Sequence, residues 1–598
     1  MTPVMGKMTF LNYPAVREGP NVPYKNEDQS IPVFRGLPLA IGATLIANVS
    51  LIQSFFWKGA GFEVVRNIPE LNNYVPTYDP TVIPVRSGQQ QSTKQMTSAL
   101  PTSEAKRKSE KGYYTTADYR ALYTSGELTP TQVIDSLLPL TRRDTNPAGK
   151  HSVAFLETAV EKARTAAAAS TQRYIDGKPT VDGIPVAMDF SGDFAGETTW
   201  CVRMWEEAGA IVIGKSTMHE LGLDTTNNNP NFGTPINPHN PSYYTGGSSG
   251  GSAYAVGAGL VPIALGADGG GSIRIPSSFC GVWGLKPSHS RVSGFPTVGL
   301  ATSVGVMGPI ASNIDDLALA YRIMATPANA SEDAKSASFP GPLADLALAQ
   351  SETEKGPKNK TLGIMRPWLD RAEEPVRAIF DKALDFYRAQ GYNVIDITIP
   401  YIPEGARAHV MTIMSEIASG LSPAQIKNLT APTKVLVSMG MYQITSHDFL
   451  AAQRLRSLLM SHLAFLFQKY PGLLIFTPTS PIPGWKIVGG NADLVRGVSD
   501  GRASVRNMEY VWLANFTGCP AISCPAGYVQ DGGHRVPVGI MAMGEWGVEE
   551  DLIAFARDGE GILDLDSDKD GQMGLTIPTG AEAVWEDVVA NAKKETSS

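Results

Sequence analysis

Between Gly246 and Ser290 the chain concentrates glycine in a way few folds can absorb: GGSSGGSAYAVGAG, then LGADGGGSIRIPSSFCG, then VWGLKPSHS. Glycine loses more backbone entropy on ordering than any other residue. The run Gly269-Gly270-Gly271 is therefore costly unless the main chain must approach something closely. Backbone N–H groups freed by such a run can converge on a developing oxyanion, the main electrostatic demand of acyl transfer. Ser272 closes the run, and a second glycine-embedded serine, Ser248, precedes it by 24 residues. The segment reads as a serine nucleophile in its own anion cradle.

The whole block resembles the signature of the amidase signature family of serine amide hydrolases. The resemblance implies Ser272 as nucleophile and Ser248, after a cis peptide from Gly247, as proton relay. It implies substrate contact through Gly269, Gly270, Gly271 and Ser272 N–H, with Ser249 and Gly222 beside them and Asp268 and Arg274 in support. Stretches 508–515, 517–527 and 536–544 resemble the family too. The fold implied is α/β, with a large, mostly parallel mixed central sheet covered by helices, which the alternation of helix and strand also favours.

One member of the family's catalytic unit is missing. The pattern resembling G-I-P-V-A-x-K-D runs here Gly183, Ile184, Pro185, Val186, Ala187, Met188, then Asp189. The lysine is absent, and the stretch to Gly214-Lys215 is short, which reads as a deletion between Met188 and Asp189. A serine hydroxyl needs a base, and Ser248 can only pass a proton on. Lys215 belongs to the following strand and Lys286 to the later GLKPS motif, so neither is expected to substitute. The activity implied is hydrolysis of a linear carboxamide through an acyl-enzyme, impaired by the lost base. The alternatives are a catalytically dead binding or regulatory homologue, or the glutaminase-type subunit of a tRNA-dependent amidotransferase.

Composition narrows the rest. With 598 residues, 43% hydrophobic and 18% charged, the chain can bury a large core. A net charge of −8 without basic clusters gives no reason to expect nucleic acid as partner; a small-molecule amide is the expected one. Four scattered cysteines and eight dispersed histidines make neither a disulfide framework nor a metal site. No metal or organic cofactor is called for, and a cytoplasmic setting is expected. Residues 37–57 carry no charge over 21 positions, long enough to span a bilayer. Pro38, Gly42, Asn48, Ser50 and Gln53 favour a buried or surface-packed helix, with membrane contact as the alternative.

The expected organisation is an N-terminal extension over 1–85, a polar linker and lead-in helix over 86–127, the amidase-signature domain over 128–556, and a tail over 557–598. Thr129-Pro130 signals a helix start, and 152–174 reads as an alanine-rich helix. Ser312 and Asp315 suggest a capping box. The long loop 224–244, rich in Asn and Pro, leads straight into Ser248, and loops of this length are commonly functional. His219 and His239 lie in this lead-in and are read as structural. Gly246–Gly250 matches G-x-S-x-G, but the strand that motif needs is replaced by a loop. Asp566, Asp568 and Asp570 imitate a calcium loop, yet its twelfth position is Ile577 where a glutamate is required.

Overall fold

The computed structural model describes residues 9–26, 32–85, 112–177, 183–188, 197–297, 299–342, 360–566, 577–579 and 582–597. Residues 86–111 of the expected linker and lead-in stretch 86–127, the chain after Met188 from 189 to 196, and nearly all of the acidic loop 566–577 lie outside these residues.

Eleven strands form the central sheet: β1 (Phe155–Thr158), β2 (Pro185–Met188), β3 (Ile211–Ser216), β4 (Ile263–Asp268), β5 (Trp283–Lys286), β6 (Val306–Ala311), β7 (Thr361–Ile364), β8 (Asn393–Asp396), β9 (Leu473–Pro478), β10 (Ala521–Asp531) and β11 (His534–Met543). Their spatial order is β8-β7-β9-β11-β10-β5-β6-β4-β2-β3-β1. The α/β sheet covered by helices is as expected, but its proportions are not. β7 runs parallel to β8 and β9, and β2 parallel to β3 and β4. All six remaining neighbours are antiparallel, including the whole centre. Hairpin connections make the difference: Gly532 and Gly533, both at positive φ, turn β10 directly into β11.

Local signals were largely obeyed. Thr129 caps the helix Pro130–Thr141 in a reciprocal box with Gln132. The helix expected at 152–174 is shorter, Val160–Ile175, because Phe155–Thr158 pairs with β3 as an edge strand. The cap expected from Ser312 is made one residue later, by Asn313 accepting from Asp316 N–H.

Six helices frame the site: α1 (Gly36–Asn48), α2 (Ser50–Gly59), α3 (Ile402–Ser419), α4 (Ala431–Tyr442), α5 (Gly501–Asn507) and α6 (Trp512–Thr517). The uncharged stretch 37–57 thus becomes two helices meeting at 104°, and among the described residues no single helix is long and apolar enough to cross a membrane. The described residues between 9 and 85 are woven into the body. Thr9–Leu11 pairs with Ile83–Val85, and Phe34–Arg35 with Val498–Ser499. Trp57, Phe62 and Val65 join the main core, while Leu39, Ala43 and Ile46 of α1 pack on Val435 of α4. At the other end, Val588 and Val589 are buried too.

Candidate active site

β4 delivers Asp268 to the glycine run, and the chain then turns into the short helix Arg274–Phe279. The carboxylate of Asp268, fully buried, organises that turn. Oδ1 accepts from Gly271 N–H at 2.7 Å, Arg274 Nη2 at 3.0 Å and Asn515 Nδ2 at 2.9 Å. Oδ2 accepts from Ile273 N–H at 3.1 Å and Arg274 Nε at 3.0 Å. Burial alone would raise its pKa; Arg274, with help from Lys286 and Asn515, instead holds the carboxyl well below the usual range. A charge so buried is tolerable only because it is paired and saturated with donors.

This geometry corrects one expectation. The Gly271 N–H is spent on Asp268, and Gly271 is not among the residues that line the cavity, whereas Gly269, Gly270 and Ser272 are. Gly271 contributes conformation: its φ is +104°, and a Cβ there would stand 2.4 Å from Val511 Cγ2. Only glycine satisfies both conditions.

Ser248 follows a cis Gly247–Ser248 peptide, and its chain is tied to the cradle where Ser249 N–H donates to Ser272 O at 3.2 Å. Ser248, Ser272, Gly269, Gly270 and Gly222 all line one cavity of about 760 Å³. Gly222 has φ +67°, and a Cβ there would lie 3.6 Å from Ser248 Oγ, so its lack of a side chain keeps the space beside that hydroxyl open. Ser249 does not belong with the substrate-contacting residues. Its hydroxyl donates to Ala267 O and accepts from Ala267 N–H, both at 3.1 Å, stapling the serine loop to β4.

Two buttresses carried no sequence signal. His409, buried on α3, lies 2.8 Å through Nε2 from Gly269 O. A carbonyl only accepts, so Nε2 carries the proton, and burial lowers the ring's pKa to about 4, keeping it neutral. Asn515, on α6, also donates to Asp268 O at 2.8 Å and Val304 O at 3.1 Å. Asn515 falls within a stretch the resemblance covers, but nothing in that stretch marked it out.

The lysine was expected directly after Met188. That residue ends β2 opposite Leu265 and Lys215, and Ser216 Oγ donates to its carbonyl at 2.9 Å. Residues 189–196, DFSGDFAG, contain no lysine. Lys215 lies 3.8 Å from Glu157 on the sheet edge. Lys286 is buried, donating to Pro287 O at 2.8 Å; desolvation and Arg274 lower its pKa to about 7. Neither is among the residues lining the cavity. His219 and His239 are buried; the ring of His239 reaches Cys280 O at 3.0 Å, a packing role.

The family model described as Amidase matches residues 145–553. The chain belongs to the amidase family. The match takes in β2, the serine loop and the glycine turn. Among relatives, a fatty acid amide hydrolase of Medicago truncatula is 34% identical over 474 residues, covering 74% of this chain and 75% of the relative. A fatty acid amide hydrolase of Arabidopsis thaliana is 30% identical over 599 residues, covering 92% and 96%. A solved amidase-family structure, a peptide amidase with the competitive inhibitor chymostatin, has a TM-score of 0.62 at 24% identity, covering 75% of this chain and 96% of that one; that likeness speaks to the fold. This chain is thus a serine amide hydrolase by family.

Proposed function

We propose that this amidase hydrolyses long-chain acyl amides presented at a lipid surface. The cavity carries the reading. One part of its wall is the glycine cradle with Ser272 and Ser248; beyond it the lining is Leu300, Ile413, Ile417, Leu436 and Met439, then Phe34, Ile46 and Phe56 from the N-terminal segment. Its volume lies within the ~300–1,000 Å³ of small-molecule sites, and an apolar tunnel ending on polar donors suits a hydrocarbon chain with one amide. The relatives named fatty acid amide hydrolase support the same substrate class, and the Arabidopsis protein matches over 92% of this chain.

In this reading Ser272 Oγ attacks the amide carbon, and N–H groups of Gly269, Gly270 and Ser272 hold the oxyanion. The serine's proton passes by way of Ser248 to the departing nitrogen as the C–N bond breaks. Water then cleaves the acyl-enzyme, releasing the acid and regenerating the hydroxyl. Without the family's lysine, the slow element is removal of the first proton. General-base assistance typically contributes about 10² to 10⁴ in rate.

The outward faces of α1 and α2 complete the proposal. While Ile46 and Phe56 face the cavity, Leu51 is 83% and Phe55 69% exposed, with Leu37, Ile41 and Leu45 also exposed. Such a patch suits insertion into the boundary of a lipid layer. The four cysteines are buried and unpaired with one another, which supports an intracellular setting. The test is release of fatty acid and amine from a long-chain N-acyl ethanolamide in vesicles, compared with acetamide. Expected are preference for the long chain, loss in Ser272→Ala, and weakened vesicle binding in Leu51→Glu/Phe55→Glu. Equal turnover of acetamide would sink the long-chain reading.

A further inference from the structure

α3 works as a ruler through the cavity. Arg407, Val410, Ile413, Met414 and Ile417 face it, the i, i+3, i+4 spacing of one helix face. The cradle lies level with the middle of this face: His409 reaches Gly269 O, and Ile413 Cδ1 would be 3.6 Å from a Cβ on Gly270. At 1.5 Å per residue, Arg407 lies about 6 Å to one side of the point midway between His409 and Ile413, and Ile417 about 9 Å to the other. The Ile417 side is apolar, packing with Leu223, Ile426 and Val437, and takes the acyl chain. The amine half of the amide then points toward Arg407.

Arginine is the basic group that recurs in the lining: Arg371, Arg407, Arg502 and Arg506 all border the cavity, with the acids Glu509 and Asp224 beside them and Glu404 and Glu373 acting on Arg407 and Arg506 from outside the lining. Two of them share one carboxylate. Arg371 Nε lies 3.6 Å from Glu509 Oε2, and Arg407 is within electrostatic reach of the same carboxylate. Arg502 and Arg506 are four residues apart on α5, whose Ser504 hydroxyl donates to Asp224 at 2.7 Å. Arg506 Nη2 contacts Glu373 at 3.3 Å, while its buried Nε finds no acceptor among the described residues. Of the other charged lining residues, Asp268 is paired with Arg274, and Glu332, Asp333 and Lys335 sit on a separate segment held by Arg203 and Asp79.

Resting on the acyl-amide reading above, we propose that this arginine cluster recognises a carboxylate on the amine half of the substrate, so that the preferred substrates are N-acyl amino acids. The reaction balances as R–CO–NH–CHR′–COO⁻ plus water giving R–COO⁻ and the zwitterionic amino acid: the C–N bond breaks, water supplies the new C–O bond, and the departing nitrogen takes up protons. Guanidinium suits this role because it meets a carboxylate through two parallel N–H donors.

Binding separates this idea from turnover. Full-length Ser272→Ala protein is titrated calorimetrically with N-dodecanoylglycine and with its neutral isostere N-dodecanoylglycinamide. The acid is expected to bind roughly tenfold tighter at low ionic strength, with the preference shrinking as salt is added. Arg407→Gln and the more exposed Arg506→Gln, each made in the Ser272→Ala background, are expected to remove most of it; if Arg407→Gln fails to fold, Arg506→Gln and the salt titration decide. Equal binding of the two ligands, or an unchanged preference in the folded arginine variants, overturns the carboxylate subsite and leaves the acyl-amide reading standing. Binding of neither ligand overturns both.

Discussion

Asp268→Asn is the most informative single substitution. The native carboxylate receives five N–H donors between 2.7 and 3.1 Å, two of them from Arg274. An asparagine has one acceptor oxygen and turns an NH2 group toward donors. The Arg274 guanidinium, fully buried, would keep its charge and lose its counter-ion. Removing one member of a buried pair typically costs about 3–5 kcal/mol, largely for the charge left behind. That is a large share of the roughly 5–15 kcal/mol by which domains are stable. The assay is urea unfolding of Asp268→Asn, Arg274→Met and the double variant. The double variant is expected to lose less than the sum of the singles, with a coupling of about 2 kcal/mol or more. Additive losses, or a loss below about 1 kcal/mol in Asp268→Asn, would refute the claim that this carboxylate organises the turn. In Asp268→Asn, labelling of Ser272 by a fluorophosphonate should slow, since the carboxylate that holds the Gly271 N–H is gone.

The two ends of the glycine run should respond oppositely to a methyl group. Gly271→Ala, with φ +104° and a Cβ 2.4 Å from Val511 Cγ2, should cost about 3 kcal/mol or more; in Gly269→Ala the nearest such atom is 4.0 Å away, so the melting temperature should barely move. His409 is neutral when folded, with a pKa of about 4 against 6.5 unfolded. The unfolded chain therefore binds the extra proton as pH falls from about 6.5 to 4, and stability is lost across that window, by about 3 kcal/mol from this ring. His409→Gln should flatten the pH dependence of the urea midpoint there, though His289, lowered to about 4, and His239, lowered to about 3, keep part of the slope. Peptide mapping of the native protein should give the 174–203 segment as the sequence reads, without a lysine after Met188. Inserting lysine between Met188 and Asp189 should raise hydrolysis by about 10² or more, and no gain would show that the base is supplied elsewhere.

What the sequence showed and what it hid follow from how local each interaction is. The glycine-serine block announced Ser248 and Ser272 because acyl transfer and glycine's conformational freedom both act within a few residues. Thr129-Pro130 announced its helix for the same reason. The edge strand Phe155–Thr158 was lost inside an alanine-rich helical pattern, since its only support is pairing with β3, more than fifty residues onward. The antiparallel centre had a visible cue, Asp531-Gly532-Gly533, the kind of turn that closes a hairpin. His409 and Asn515 reach the cradle across 140 and 247 residues, and no periodicity or motif encodes such a meeting. The same holds for the four arginines that line the cavity, which come from three separate segments.

The N-terminal helices have a consequence for how the protein is made. α1 packs on α4 and lies beside residues 491–496, and Phe34–Arg35 waits for Val498–Ser499 to complete its pairing. About 400 residues therefore leave the ribosome between an apolar helix and its partners, which at ~5–20 residues per second is roughly 20–80 s. During that interval Leu39, Ala43 and Ile46 have no core to enter, and any lipid surface or holdase chaperone nearby meets them first. The order of synthesis thus leaves this helix exposed for longer than the rest of the cavity wall, and deleting residues 32–60 should open the cavity on the side that Phe34, Ile46 and Phe56 line.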